Sequence, residues 1–133
     1  MNILFFLIPK SDVAYIYDDY TVEMALNKMQ SHRYSSIPVI DKNGKYVGTI
    51  TEGDMLWTLK DKLQEGYPDI EHMSVARVAR KRDNQPVTAN AQMVDLISKA
   101  MNQNFVPVTD DNNTFIGIIT RKDIIQYCYN HMQ

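Results

Sequence analysis

Gly48-Thr-Ile-Thr-Glu-Gly-Asp54 returns as Gly117-Ile-Ile-Thr-Arg-Lys-Asp123. Upstream of it, Pro38-Val-Ile-Asp41 returns as Pro107-Val-Thr-Asp110. Pro38 and Pro107, Gly48 and Gly117, Thr51 and Thr120, and Asp54 and Asp123 share one offset of 69 residues. The apolar pairs Tyr46-Val47 and Phe115-Ile116 keep that register, as do Ile50 and Ile119. Several anchors in one register mark two copies of one small unit.

Further upstream the register shifts. Val22, Ala25, Leu26 and Met29 form a helical stripe at i, i+3, i+4 and i+7. Its counterpart, Met93, Leu96, Ile97 and Ala100, lies at an offset of 71 residues. The second copy has therefore lost two residues between its helix and its Pro-containing strand. Residues 31–37 form the longer loop and 101–106 the shorter.

Each copy reads as strand, helix, strand, turn, strand, helix. In the first, the pattern predicts strands over 13–17, 36–41 and 46–51 and a helix over 20–31. A second helix over 53–65 is stopped by Gly66 and Pro68. Asp41-Lys-Asn-Gly44 is a turn, because Asn-Gly tolerates positive φ. In the second, strands are predicted over 86–89 and 115–120 and helices over 92–101 and 122–132, with a turn at 110–113. Residues 69–84 carry Arg77, Arg80, Lys81 and Arg82. A phosphate or RNA patch is one reading. A solvated connecting helix with Val75, Val78 and Ala79 inward is the preferred one. The implied division is 1–66, first repeat with a short N-terminal helix; 67–84, linker; and 85–133, second repeat.

Composition sets the class. The chain has 133 residues, 44% of them hydrophobic, enough for a compact core, and a formal charge of −2. That charge gives no general attraction to nucleic acid or an anionic membrane, and neither is an expected partner. A single cysteine, Cys128, rules out a disulfide within the chain. His32, His72 and His131 are scattered without metal-ligand spacing. The apolar start, Ile3 to Ile8, is too short to span a bilayer and lacks the features of a signal peptide. A cytoplasmic location is expected.

The repeated signature joins a strand to a helix. The glycine permits close backbone approach, and the apolar residues bury the strand. The threonine ends the strand, and the aspartate lies on the first helical turn. Threonine at that place can bond backbone amides or a phosphate, and a helix N-terminus favours an anion. The aspartate is a suitable acceptor for a ribose diol. The structural alternative is that Thr51 and Thr120 cap their helices while the aspartates answer the helix dipoles. Repetition in register with the Pro-containing strands favours the functional reading.

This pattern, apolar-Pro-apolar-apolar-Asp followed by Gly-apolar-apolar-Thr-x-x-Asp, resembles the CBS domain over nearly the whole chain. The resemblance implies an α/β (α+β) fold: two β-α-β-β-α repeats packed about a pseudo-two-fold axis, with two clefts between them. Members bind adenine nucleotides such as AMP, ADP, ATP or cyclic di-AMP, or S-adenosylmethionine, and pass the signal to a partner. Carried over, one cleft is lined by Val13, Ala14, Tyr15, Tyr34, Ser35, Ser36 and Ile37, with Ile119, Thr120, Arg121, Lys122 and Asp123 opposite. Tyr34 would cover a base, Ser35 and Ser36 offer hydroxyls, and Arg121 with Lys122 suit a phosphate. The other cleft, with Thr51 and Asp54 facing Pro86, Val87, Asn104, Phe105 and Val106, is expected to be weaker. Its loop is shortened, and Glu52 replaces the basic residue.

The runs Phe6-Leu-Ile-Pro-Lys-Ser-Asp-Val-Ala14, Tyr34-Ser-Ser-Ile-Pro38 and Thr120-Arg-Lys122 are similar to small stand-alone CBS-pair proteins of Gram-positive bacteria that bind cyclic di-AMP. Asp12 stands where that group tends to place a basic residue. The expectation is a non-catalytic regulatory module with no cofactor and no metal. One principal adenine-nucleotide site, a separate effector protein and homodimerisation by analogy complete it. The alternative is a ligand-free structural or protein-interaction module. Catalysis is not expected: Asp54 and Asp123 belong to different clefts, and no nucleophile elbow, metal set or Walker-type loop is present.

Overall fold

The computed structural model describes residues 2–66 and 69–132. They form two compact units: one within Met1–Val13 and Asn84–Gln133, the other Ala14–Asp83. The chain opens with a one-turn 3-10 helix, Ile3–Phe6, and a short strand β1 (Ile8–Pro9).

In Ala14–Asp83, β2 (Ile16–Tyr17) runs parallel to β3 (Ser36–Ile40), and β3 pairs antiparallel with β4 (Tyr46–Thr51). The helix α1 (Val22–His32) crosses between the parallel strands, and α2 (Glu52–Gln64) leaves β4. Thr21 Oγ1 accepts from the Met24 amide at 3.1 Å and so fixes the start of α1. The predicted stripe faces the core through Val22, Ala25 and Met29. All five residues of β3 are buried, as a central strand requires. The β3–β4 turn closes as expected: Asp41 Oδ1 accepts from the Asn43 and Lys45 amides, both at 2.9 Å, and Gly44 takes φ 81°.

The segment after α2 departs from expectation. It forms two 3-10 turns, Ile70–His72 and Val75–Arg77, in place of a solvated connecting helix. Met73, Val75 and Val78 enter the core beside Ile16, Ile37 and Ile50, while Ala79 is exposed. The spacing 73, 75, 78 does not suit one face of an α-helix. Backbone bonds from Val22 to Met73 (2.7 Å) and from Val75 to Tyr20 (2.9 Å) hold the segment against the start of α1. Pro68, expected to help stop α2, lies outside the described residues.

The other unit repeats the order. β5 (Val87–Thr88) is parallel to β6 (Phe105–Thr109), which is antiparallel to β7 (Phe115–Thr120). Here α3 (Met93–Ala100) is the crossover and α4 (Arg121–Asn130) leaves β7. Leu96, Val106, Val108, Ile119 and Ile124 form its core. The β6–β7 turn repeats the first: Asp110 Oδ1 accepts from the Asn112 and Thr114 amides, with Asn113 at φ 64°. The predicted strands 86–89 and 13–17 shrink to two residues each, because only those residues pair.

The N-terminal segment belongs to this second unit. β1 pairs antiparallel with the free edge of β7, Ile8 opposite Ile118 and Pro9 opposite Gly117. Ile3 is fully buried, and the Phe6 ring meets Tyr127 edge-on at 5.7 Å. The expected N-terminal helix is thus a single 3-10 turn followed by a strand. The expected division of the repeats in sequence is 1–66, 67–84 and 85–133; the compact units are a different partition, because β1 joins β7 and the inter-repeat segment fills the core of the first unit.

Candidate functional site

The two repeated signatures build unlike helix starts. At α2, Thr51 Oγ1 accepts from the Asp54 amide and Asp54 Oδ2 accepts from the Thr51 amide, both at 3.0 Å. This reciprocal capping box satisfies two of the helix's end groups. The other oxygen, Asp54 Oδ1, accepts from the Lys81 amide at 3.1 Å, and the residue is buried. Both carboxylate oxygens of Asp54 therefore serve the fold.

At α4 only half of that arrangement exists. Thr120 Oγ1 accepts from the Asp123 amide at 3.2 Å. The Asp123 carboxylate has no partner among the described residues and is partly exposed. Arg121 donates from Nε to the Gln103 carbonyl at 2.8 Å, which orients its guanidinium and leaves the two Nη groups unpartnered among the described residues. Lys122 is exposed beside it. A free carboxylate, a held guanidinium and an ammonium thus gather at the positive end of a ten-residue helix. Such a set can accept from a diol and donate to a phosphate. The side chain of Ile119 is fully buried, so any part it takes is through its main chain.

The remaining residues of the expected principal cleft, Val13 apart, lie in the Ala14–Asp83 unit. Tyr34 closes the loop after α1, and its hydroxyl accepts a long bond, 3.4 Å, from the Ala14 amide. Residues 20 positions apart in sequence are thereby brought together. Tyr15 is partly buried; its ring meets Tyr17 edge-on at 5.8 Å, and Lys28 Nζ stands 5.9 Å from its centre. Burial first, and then its hydrogen bond with Tyr17, hold the Tyr15 hydroxyl above the ordinary tyrosine range. Ser35 is exposed and its carbonyl accepts from Glu52 at 2.9 Å, whereas Ser36 and Ile37 are buried at the start of β3. Val13 is buried in the other unit, bonding the Lys10 carbonyl.

The residues of the expected weaker cleft are largely structural. Val87, Phe105 and Val106 are buried, and Asn104 is exposed. The shortened loop is knitted by side-chain amides that sequence reasoning missed. Gln103 Oε1 accepts from the Gln85 amide at 2.8 Å, and Gln103 Nε2 donates to the Gln85 and Phe105 carbonyls, both at 3.2 Å. Asn84 Nδ2 donates to the Phe105 carbonyl at 3.1 Å and to Asn104 Oδ1 at 3.3 Å. Asp83 was also missed. Its Oδ1 accepts from the Thr49 amide at 2.9 Å and from Arg80 Nε at 2.8 Å. One member of the basic cluster is thus neutralised within the fold.

The family model described as the CBS domain matches residues 7–61 and again 75–130, so the chain belongs to the CBS-domain family and carries two copies. Among solved structures, the chain is similar to CbpB in complex with c-di-AMP: 28% identity, TM-score 0.83, covering 98% of this chain and 85% of that one. It is also similar to CbpB from Streptococcus agalactiae: 29% identity, TM-score 0.79, covering 96% and 79%. The inosine-5'-monophosphate dehydrogenase of Methanocaldococcus jannaschii is 34% identical over 115 residues, 86% of this chain and 21% of that enzyme. The chain thus spans about a fifth of that relative's length. No helix among the described residues is long and apolar enough to cross a membrane.

Proposed function

We propose that the protein is a non-catalytic regulatory module that binds one adenine nucleotide and signals to a separate partner protein. The ligand is drawn from AMP, ADP, ATP and cyclic di-AMP. Its ribose meets the Asp123 carboxylate, and its phosphate meets Arg121 and Lys122, with the Thr120 end of β7 beside it. The observation that carries this reading is the contrast between the two signatures: the Asp123 carboxylate has no partner among the described residues, whereas Asp54 has both oxygens engaged. The likeness to a CbpB whose structure holds c-di-AMP puts that nucleotide first in the panel.

Thermal unfolding with AMP, ADP, ATP, S-adenosylmethionine and cyclic di-AMP tests the proposal. A ligand at one hundred times its dissociation constant adds about 2.7 kcal/mol to stability and raises the Tm. A protein whose Tm none of the five moves is not a sensor of adenine nucleotides, and the ligand-free interaction module replaces this reading.

A further inference from the structure

Arg121 reaches its place through a residue that the repeated signature does not contain. Its Nε donates to the Gln103 carbonyl at 2.8 Å, across 18 residues of sequence. That carbonyl belongs to a residue whose own side chain is buried and fully used. Gln103 grips the Gln85 backbone twice, accepting from its amide at 2.8 Å and donating to its carbonyl at 3.2 Å. A further bond runs from Gln103 Nε2 to the Phe105 carbonyl at 3.2 Å, at the start of β6. The Gln103 side chain therefore imitates a strand neighbour for Gln85 while its main chain holds the guanidinium.

Resting on the phosphate role proposed for Arg121, we infer that Gln103 is the positioning residue that pre-orders Arg121 for a phosphate group. A free arginine side chain loses rotamer entropy when it is ordered. Holding Nε in advance removes part of that cost and aims the two Nη groups outward as a fork. Gln103 touches no ligand itself. It acts on the phosphate-bearing part of a ligand and leaves the nucleoside part alone.

The pair of probes that separates these parts is adenosine against AMP and cyclic di-AMP, with affinities read by titration calorimetry. In Gln103→Ala, the affinity for the phosphate-bearing probe is expected to fall about tenfold, which is about 1.4 kcal/mol, while adenosine binding stays within about twofold. Arg121→Ala is expected to show the larger loss. The double variant is expected to bind no more weakly than Arg121→Ala alone, since the two residues act through one contact. Should Gln103→Ala not fold, Gln103→Met keeps the volume and carries the same expectation. Equal loss for adenosine and AMP, no loss for either, or additive losses in the double variant would overturn the inference while leaving the site in place. A wild-type protein that binds none of AMP, ADP, ATP and cyclic di-AMP overturns the site itself, and the inference falls with it.

Discussion

Asp54 and Asp123 occupy the same position of the same motif and do different work. Asp54 closes a capping box and accepts the Lys81 amide, tying the inter-repeat segment to α2. Removing it strands the Lys81 amide and uncaps a helix, so Asp54→Ala should cost about 1–3 kcal/mol in urea unfolding. Asp123→Ala removes a partly exposed carboxylate without a partner among the described residues, and its stability should stay within about 0.5 kcal/mol of wild type. Its effect should instead appear as weaker nucleotide binding. Equal destabilisation by the two variants would defeat this division of labour. The positions of both aspartates were legible in the sequence. The capture of Asp54 was not, because its third bond comes from a main-chain amide, and every non-proline residue offers one of those. Gln103 escaped notice for a related reason: a glutamine in a loop gives no sign that its amide will stand in for a strand.

At the scale of elements, β4 and β7 match the predicted 46–51 and 115–120, since Gly-apolar-apolar-Thr followed by a helix leaves little freedom. β1 was invisible. Two residues carry no period, Pro9 offers no amide, and the partner strand lies more than a hundred residues on. The structure shows why the signature glycines matter to these edges. A Cβ on Gly117 would stand 2.2 Å from the Ile8 carbonyl oxygen, which is main chain fixed by pairing. A Cβ on Gly48 would stand 2.3 Å from Asp83 Oδ1, at the end of a side chain that can rotate away. Gly117→Ala should therefore cost about 1–3 kcal/mol and loosen β1, with faster exchange of the β7 edge amides. Gly48→Ala should cost less, losing the Asp83 bond to Thr49 in place of a strand pair. Chemical denaturation of both variants ranks them, and a larger loss for Gly48→Ala would contradict the assignment of β1 as a fixed element.

At the scale of the molecule, sequence symmetry and chemical symmetry part company. Two copies of one motif would imply two equivalent ligand sites per chain. The first copy spends its motif aspartate on the fold and opens α2 with Glu52, whose charge opposes a phosphate. The loop before β6 in the second copy is two residues shorter than its counterpart in the first and is closed by Gln103 and Asn84. The second copy leaves its aspartate without a partner among the described residues and opens α4 with Arg121 and Lys122. Converting the first signature to a working site would require breaking the capping box and the Lys81 bond. Each such hydrogen bond is worth about 1 kcal/mol net, so the two copies should differ well over tenfold in affinity. Titration calorimetry with the panel nucleotide that raises Tm most should accordingly give one nucleotide per chain in the accessible range, and Asp123→Ala should abolish that transition while Asp54→Asn leaves it standing. Two transitions of similar affinity would show that the bonds around Asp54 yield to a ligand and that both copies of the motif bind, and loss of the single one in Asp54→Asn with the fold intact would move the site to the first copy.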